Sequence, residues 1–331
     1  MSCNEANQLL FLNKTAKNSK SIHYICISPI VSTTTFKPRI MKYVKSFRAN
    51  NIYELQEAEI RELEFIYQHS EFDDSGHPIE VITYNPDGSV EHKYKYQYNE
   101  KGQVVDELLL EADDEITEHR SMEYNVEGRL VKEYVHYLDG TADVLNFTYD
   151  EQGRLLSKRS IDSDGETGNY IVNVFDGDKL VTESEYDMDG EIITQRRIIY
   201  DDDGNITEEV FKTPEENYHI LHSYLENGQA SVRRRYNEDK HLTERHTFSY
   251  DSEGRLSESM EESSSGIEIT YIKYDPAGNI ILQEEKTQEG ELLSCIERTY
   301  DDANRLLTTI VLSERPGQQN PVHYRLRMEY E

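Results

Sequence analysis

The chain has no tryptophan, only eight prolines and three cysteines in 331 residues, and only 36% of it is hydrophobic. Each shortage excludes something. Cys3 and Cys26 lie near the N-terminus and Cys295 stands alone in the rest, so no disulfide framework or cysteine-based zinc site can form there. Cys295 reads as a small packing residue, and nothing argues for an oxidising compartment. The apolar stretch from Ile22 to Val31 is interrupted by His23, Ser28 and Pro29 and lacks a small-residue cleavage pattern. It is too short to span a bilayer and a poor secretory signal, so a cytoplasmic location is favoured.

Basic residues are also scarce. There are 35 against 65 acids, a net charge of −30. Residues 1–40 hold five bases and one acid (+4), which leaves −34 on residues 41–331. Such a field repels nucleic acid and anionic membranes and suits a protein partner, a basic one in particular. Solubility and protection of sheet edges explain the same charge without a partner.

What the chain does have is repetition. An aromatic, an Asp or Asn, two variable residues, a Gly, a polar residue and an aliphatic recur as YDEQGRL (149–155), YDDDGNI (200–206), YDSEGRL (250–256) and YDPAGNI (274–280). Looser copies begin at Phe72, Tyr98, Tyr124, Phe175, Tyr224 and Tyr300, and the spacings are 26, 26, 25, 26, 25, 24, 26, 24 and 26 residues. A fixed period of this length marks a repeat architecture, in which each unit packs on its neighbours.

The phrase is a hairpin turn. The Asp or Asn accepts backbone hydrogen bonds just ahead of it, and the Gly supplies the left-handed residue that ends a type I turn with a bulge. The turn residues are thus Gly102, Gly128, Gly153, Gly204, Gly228, Gly254 and Gly278, with Asn304 in the last copy, where Asn tolerates positive φ. Phe175 opens a copy one residue shorter, FDGDKL. A second turn signal falls halfway along each unit, as in NPDG at 85–88 and DMDG at 187–190. Two turns per period leave roughly eight residues per strand.

Alternation favours strands. Tyr96, Met122, Phe147, Ile198, Phe248 and Ile272 lie two residues before a phrase aromatic, whereas Ser70, Asn173, His222 and Arg298 break that column. The aromatic column itself runs Tyr98, Tyr124, Tyr149, Phe175, Tyr200, Tyr224, Tyr250, Tyr274 and Tyr300. The expected fold is all-β, an antiparallel hairpin meander of about twenty short strands, elongated and curled, with one moderately apolar face. Tyrosine supplies 24 of the 33 aromatics and suits a thin structure, because it covers apolar neighbours while its hydroxyl reaches water. Residues 1–40 form a leader outside the repeat, expected to be disordered or absent from the native product. Residues 41–71 form an N-terminal cap over an open edge, where Ile52, Leu55, Ile60, Leu63 and Ile66 fit a short helix or a leading strand. Residues 72–331 form an array of about ten units.

The YDxxGRL-type phrase at this spacing resembles the YD repeat of Rhs proteins, found also in the shells of insecticidal toxin complexes and in teneurins. The resemblance covers about residues 72 to 310. It implies that repeats wind into a hollow β-shell, which in the large relatives encloses a toxin behind a characteristic core segment. The chain ends at RLRMEYE soon after the last unit, so the expectation is a repeat-only member without toxin or core segment.

Chemistry-bearing motifs are thin. An EF-hand loop anchored on Asp162, Asp164 and Gly165 places Ile171 at the bidentate position, and one anchored on Asp187, Asp189 and Gly190 places Arg196 there. His219 and His222, three apart, point to opposite faces of a strand, and His222 and His246 read as packing or exposed side chains. No catalytic, cofactor-binding or metal-ligating residue is assigned. The function expected is a non-catalytic interaction scaffold, with a toxin or immunity component as the alternative and an enzyme of unknown class behind it.

Overall fold

The computed structural model describes residues 42–315 and 321–331, so the leader expected over 1–40 lies outside the described residues. Strand β1 (Tyr43–Asn50) leads into a short helix α1 (Glu57–Glu62), then β2 (Phe65–Phe72), and twenty further strands follow from β3 (Pro78–Tyr84) to β22 (Val322–Tyr330). Every strand pairs antiparallel with its neighbours in sequence, and β1 also pairs with β22. The register runs from Val44 opposite Tyr330 to Asn50 opposite Tyr324, and it closes the sheet on itself.

This corrects the open, elongated array expected from the repeat. Twenty-two strands form a closed β-barrel, and the supposed open edge needing a cap does not exist. For strands about 4.8 Å apart and tilted by about 40°, a round ring of this many strands is roughly 40 Å across. Among the described residues no large side chain is fully buried and most strands stay partly exposed on both faces, so opposite walls do not pack on one another as two face-to-face sheets would. The barrel is hollow.

One cause of the curvature recurs in each unit. The ladder slips by one residue just before the phrase aromatic, for example between Gln97 and Tyr98 and between Thr148 and Tyr149. The aromatic then sits opposite the aliphatic that ends its own phrase: Tyr98 on Val104, Tyr149 on Leu155, Tyr250 on Leu256. Each such bulge adds twist and bends the sheet the same way.

The seam between first and last strands carries the densest packing. Helix α1 lays Ile60 against Ile52 and Ala49, with Leu55 and Ile310 alongside. Glu64, following the helix, accepts from Arg325 at 2.8 Å and from Arg327 at 2.9 Å, and Arg325 also reaches Glu57 at 2.5 Å. Burial alone would raise the Glu64 carboxyl, but the hydrogen bonds and charge of Arg327 and Arg325 outweigh it and hold the group below its ordinary value. The segment 52–66 thus combines both sequence readings, a helix over 57–62 and a strand beginning at Phe65.

Candidate functional site: the lumenal wall

The two faces of the sheet differ in shielding. Burial raises the phenol pKa of the phrase tyrosines Tyr124, Tyr224, Tyr250, Tyr274 and Tyr300, and pushes that of Tyr98 up to about 12. The residue just before each of several phrase aromatics points the other way and is exposed: Gln97, Glu123, Thr148, Ser249, Lys273 and Thr299. Side chains converge on the concave side of a closed sheet and diverge on the convex side. The tyrosine face is therefore the lumenal wall.

Each residue of the phrase has a structural partner. Tyr98 donates its hydroxyl to the carbonyl of Pro78 in the preceding unit at 2.7 Å. Tyr124, Tyr149, Tyr200, Tyr224, Tyr250, Tyr274 and Tyr300 make the same bond to Val104, Leu130, Leu180, Ile206, Ala230, Leu256 and Ile280. Tyr330 repeats it on Leu306 at 2.6 Å, the ninth such bond and an eleventh aromatic position, which the period hides because a longer connection precedes β22.

Phe175 has no hydroxyl, and Asn173, two residues earlier on the same face, donates its amide to Leu155 at 3.0 Å instead. A break in the sequence column is thus a substitution of one donor for another. Asn173→Ala is expected to cost about 1 kcal/mol, and Phe175→Tyr in that background should recover most of it. Thermal melts of the single and double variants measure this; a double variant no more stable than Asn173→Ala contradicts the exchange.

The turn residues Gly102, Gly128, Gly153, Gly204, Gly228, Gly254 and Gly278 take φ between 76° and 91°, and Asn304 takes 61°. In the short copy, Asp176 pairs with Lys179 around Gly177 and Asp178, a two-residue loop with Gly177 at φ 55°. Asp150 and Asp251 accept from the backbone N–H four residues on, at 2.9 and 2.8 Å, and from the guanidinium of Arg154 or Arg255. Those arginines then lie over the aromatic of the next unit, Arg154 on Phe175 at 4.6 Å and Arg255 on Tyr274 at 4.5 Å. Gln103 and Gln229 make the same step by donating to Gly128 and Gly254. One rim of the barrel is stitched turn to turn.

These bonds set an acid limit. Burial alone would raise Asp150, Asp251 and Asp301, but backbone N–H groups and the adjacent arginine hold each below its ordinary 3.8. A depressed folded-state pKa contributes stability that is present above the unfolded value and is lost as pH falls through the folded one. Glu107 works the other way, because burial and the nearby Glu118 and Glu133 raise it against Arg120. Among the described residues depressed carboxyls outnumber raised ones, so denaturant titrations should show constant stability down to about pH 5 and progressive loss below about pH 4. Stability that rises between those values on acidification contradicts the assignment.

Between the tyrosines the lumenal wall carries ion pairs. Arg196 donates to Glu209 at 2.5 Å and His222 bonds the other oxygen of Glu209 at 2.8 Å. Glu209 is only 8% exposed. Burial would raise its pKa, but His222 and Arg196 hold it below the usual range. His222, read from sequence as packing or exposed, is thus a paired group, and His246 likewise bonds Glu244 at 2.5 Å. Glu244, His246 and Glu261 place three metal-ligand-type atoms within 4.8 Å of one another. Two ligands at i and i+2 with a third opposite on the next strand suit a sheet-borne cation site, but Arg233 lies 3.9 Å from Glu244 and already offsets its charge.

The convex wall holds one constellation that the spacing of residues did not reveal. Ser121 Oγ and His136 Nε2 are 2.7 Å apart, His119 Nε2 lies 2.9 Å from Asp106, and the two imidazoles stack at 4.2 Å. Serine and aspartate bond different rings, so no continuous Ser-His-Asp relay exists, and the face is open to water. Cross-strand register brings these residues together, and no local motif announces it.

A family model described only as an uncharacterised protein matches residues 236–326. No curated protein matches the chain. Among solved structures, the Photorhabdus luminescens Tc holotoxin pore is similar at 11% identity and a TM-score of 0.44, covering 87% of this chain and 17% of that one. The TcdB2–TccC3 structure is similar at 14% identity and a TM-score of 0.36, covering 86% and 18%. A porin-like protein from Bacteroides uniformis is similar at 11% identity and a TM-score of 0.30, covering 90% and 100%. The chain spans less than a fifth of the length of the toxin chains it matches. No helix among the described residues is long and apolar enough to cross a membrane.

Proposed function

We propose that the protein is a non-catalytic interaction scaffold of the YD-repeat class, which binds a protein or other ligand on its curved β-surface without a cofactor. The observation that carries this reading is the hollow closed ring, whose two walls present long, regular rows of side chains while the phrase residues are occupied in holding the ring together. The partner that fits the outer wall is a protein, a basic one in particular, since residues 41–331 carry −34. Nucleic acid is disfavoured by the same charge. A lipid-facing role is disfavoured by Lys95, Arg197 and Glu297, exposed at mid-strand on the convex face, where a membrane barrel carries an apolar band.

A second reading, a component of a bacterial toxin or immunity system, is favoured by the resemblance of the phrase to Rhs repeats together with the hollow ring. Affinity purification of the full chain from its native organism, followed by mass spectrometry, separates the two through the identity of what is captured. A basic partner should bind roughly tenfold or more weakly when salt is raised from about 50 to 500 mM, because exposed charges are then screened within a few ångströms. Salt-insensitive binding that is lost on truncating Tyr94 and Tyr96 would move recognition to the tyrosine wall. Turnover of a substrate, abolished by one carboxylate substitution without loss of stability, would overturn the scaffold reading.

A further inference from the structure

Four of the six arginines on the lumenal face of the described strands have a carboxylate. Arg120 lies 3.4 Å from both Glu118 and Glu133, Arg196 is paired with Glu209, Arg233 with Glu244, and Arg235 with Glu216. Arg48 and Arg298 differ. Neither forms an ion pair among the described residues, although the chain has nearly two acids for every base. Arg48 bonds the neutral Asn50 at 2.8 Å, and its guanidinium lies 4.3 Å from the Tyr324 ring and 5.2 Å from that of Tyr67. The Nη1 of Arg298 is shielded from solvent and has no hydrogen-bond acceptor.

The register places the two on one transverse row. Arg298, on β20 (Leu292–Tyr300), faces Thr309 on β21 (Leu306–Ser313), which faces Leu326 on β22, which faces Arg48 on β1. Three strand spacings of about 4.8 Å separate the arginines, a gap that two extended arginine side chains reaching toward each other can bridge. Tyr324 is the next residue of β22 on this face and lies between them. Burial raises its phenol pKa, and the charges of Arg48 and Arg298 both oppose that rise.

Nη1 is closed to a water-sized oxygen and so to an anion, but Nε and Nη2 of Arg298 are not shielded and have no acceptor among the described residues, so they can meet an arriving anion. Guanidinium forks match the two oxygens of a carboxylate or phosphate, and partial exclusion of water strengthens the bond. We propose that Arg48, Arg298 and Tyr324 form an oxyanion-binding site on the lumenal wall beside the seam, which takes a carboxylate or phosphate group of a ligand inside the ring. The inference goes beyond the scaffold reading, since it names a site and a ligand chemistry and holds whether or not a protein binds the outer wall.

Calorimetric titration of the full chain with sodium phosphate and with sodium glutarate, against sodium chloride at equal ionic strength, tests it. Saturable binding of either oxyanion beyond that of chloride is expected, and the preferred one identifies the source of the group. Arg298→Gln should weaken that binding roughly tenfold or more, in line with the strength of charge-assisted bonds. The same variant should leave the melting temperature unchanged or raised, because the nitrogen it removes has no partner to lose. Arg298→Lys, which keeps charge and loses the fork, should weaken binding as well. Arg159→Gln, on the convex face over Tyr170, should not. No binding beyond chloride, or binding untouched by both Arg298 variants, overturns the site. A large fall in melting temperature with unchanged oxyanion binding would make Arg298 a structural residue instead.

Discussion

Arg325→Ala is expected to destabilise the ring by about 2 to 3 kcal/mol, the cost of a lost buried charge-assisted hydrogen bond to a Glu64 carboxylate that keeps only Arg327 and the more distant Arg61. Its side chain is 5% exposed and that of Glu64 is 7% exposed, so water cannot replace the lost bond. The same seam provides its own control. Lys45 and Glu331 pair at 3.5 Å with side chains 31% and 57% exposed, and Lys45→Ala should cost less than about 1 kcal/mol. Urea denaturation followed by circular dichroism measures both. Because β1 and β22 close the sheet, Arg325→Ala should also make the terminal strands exchange amide hydrogens faster than the middle of the ring. Equal costs for the two substitutions, or uniform exchange, would show that the seam is not held by the buried cluster.

Gly153→Val is the second large effect. Its φ of +84° forces a β-branched residue into the left-handed region, at a cost of about 1 to 3 kcal/mol, and an added Cβ would also meet the Arg129 guanidinium. Displacing Arg129 removes its approach to the Tyr149 ring at 5.9 Å. Gly254 has φ +77° with only the end of Gln229 at 3.5 Å, so valine there should cost the backbone strain alone. At Gly168, which is outside the left-handed region, a Cβ would meet Ser160 at 3.3 Å, a contact that a small shift relieves. The expected order of melting shifts is Gly153, Gly254, Gly168. A shift at Gly168 equal to that at Gly153 contradicts the turn assignment.

The candidate sites were legible in the sequence only as irregularities. Asn173, His222 and Arg298 stood out because they break an apolar column. Nothing in their neighbourhoods says that Asn173 replaces a tyrosine hydroxyl, that His222 shares Glu209 with Arg196, or that Arg298 lacks an acid. Those facts depend on which residue of the next strand lies opposite. Each unit carries a bulge at its phrase turn and several carry a second at the halfway turn, so the register cannot be counted off the chain. The cluster of Ser121, His136, His119 and Asp106 was invisible for the same reason.

By itself the sequence determined the all-β class, the repeating hairpin and the residues of each turn, because a turn needs only the four or five residues that form it and their φ preferences are local. Closure was decided by tertiary structure. Whether the sheet stays open or meets itself depends on curvature summed over 22 strands and on the fit of Val44 to Tyr330 across the two ends of the chain. No single unit carries that sum. The lumen, its lining of tyrosines and ion pairs, and the unpaired arginines beside the seam exist only because the accumulated bend returned the last strand to the first.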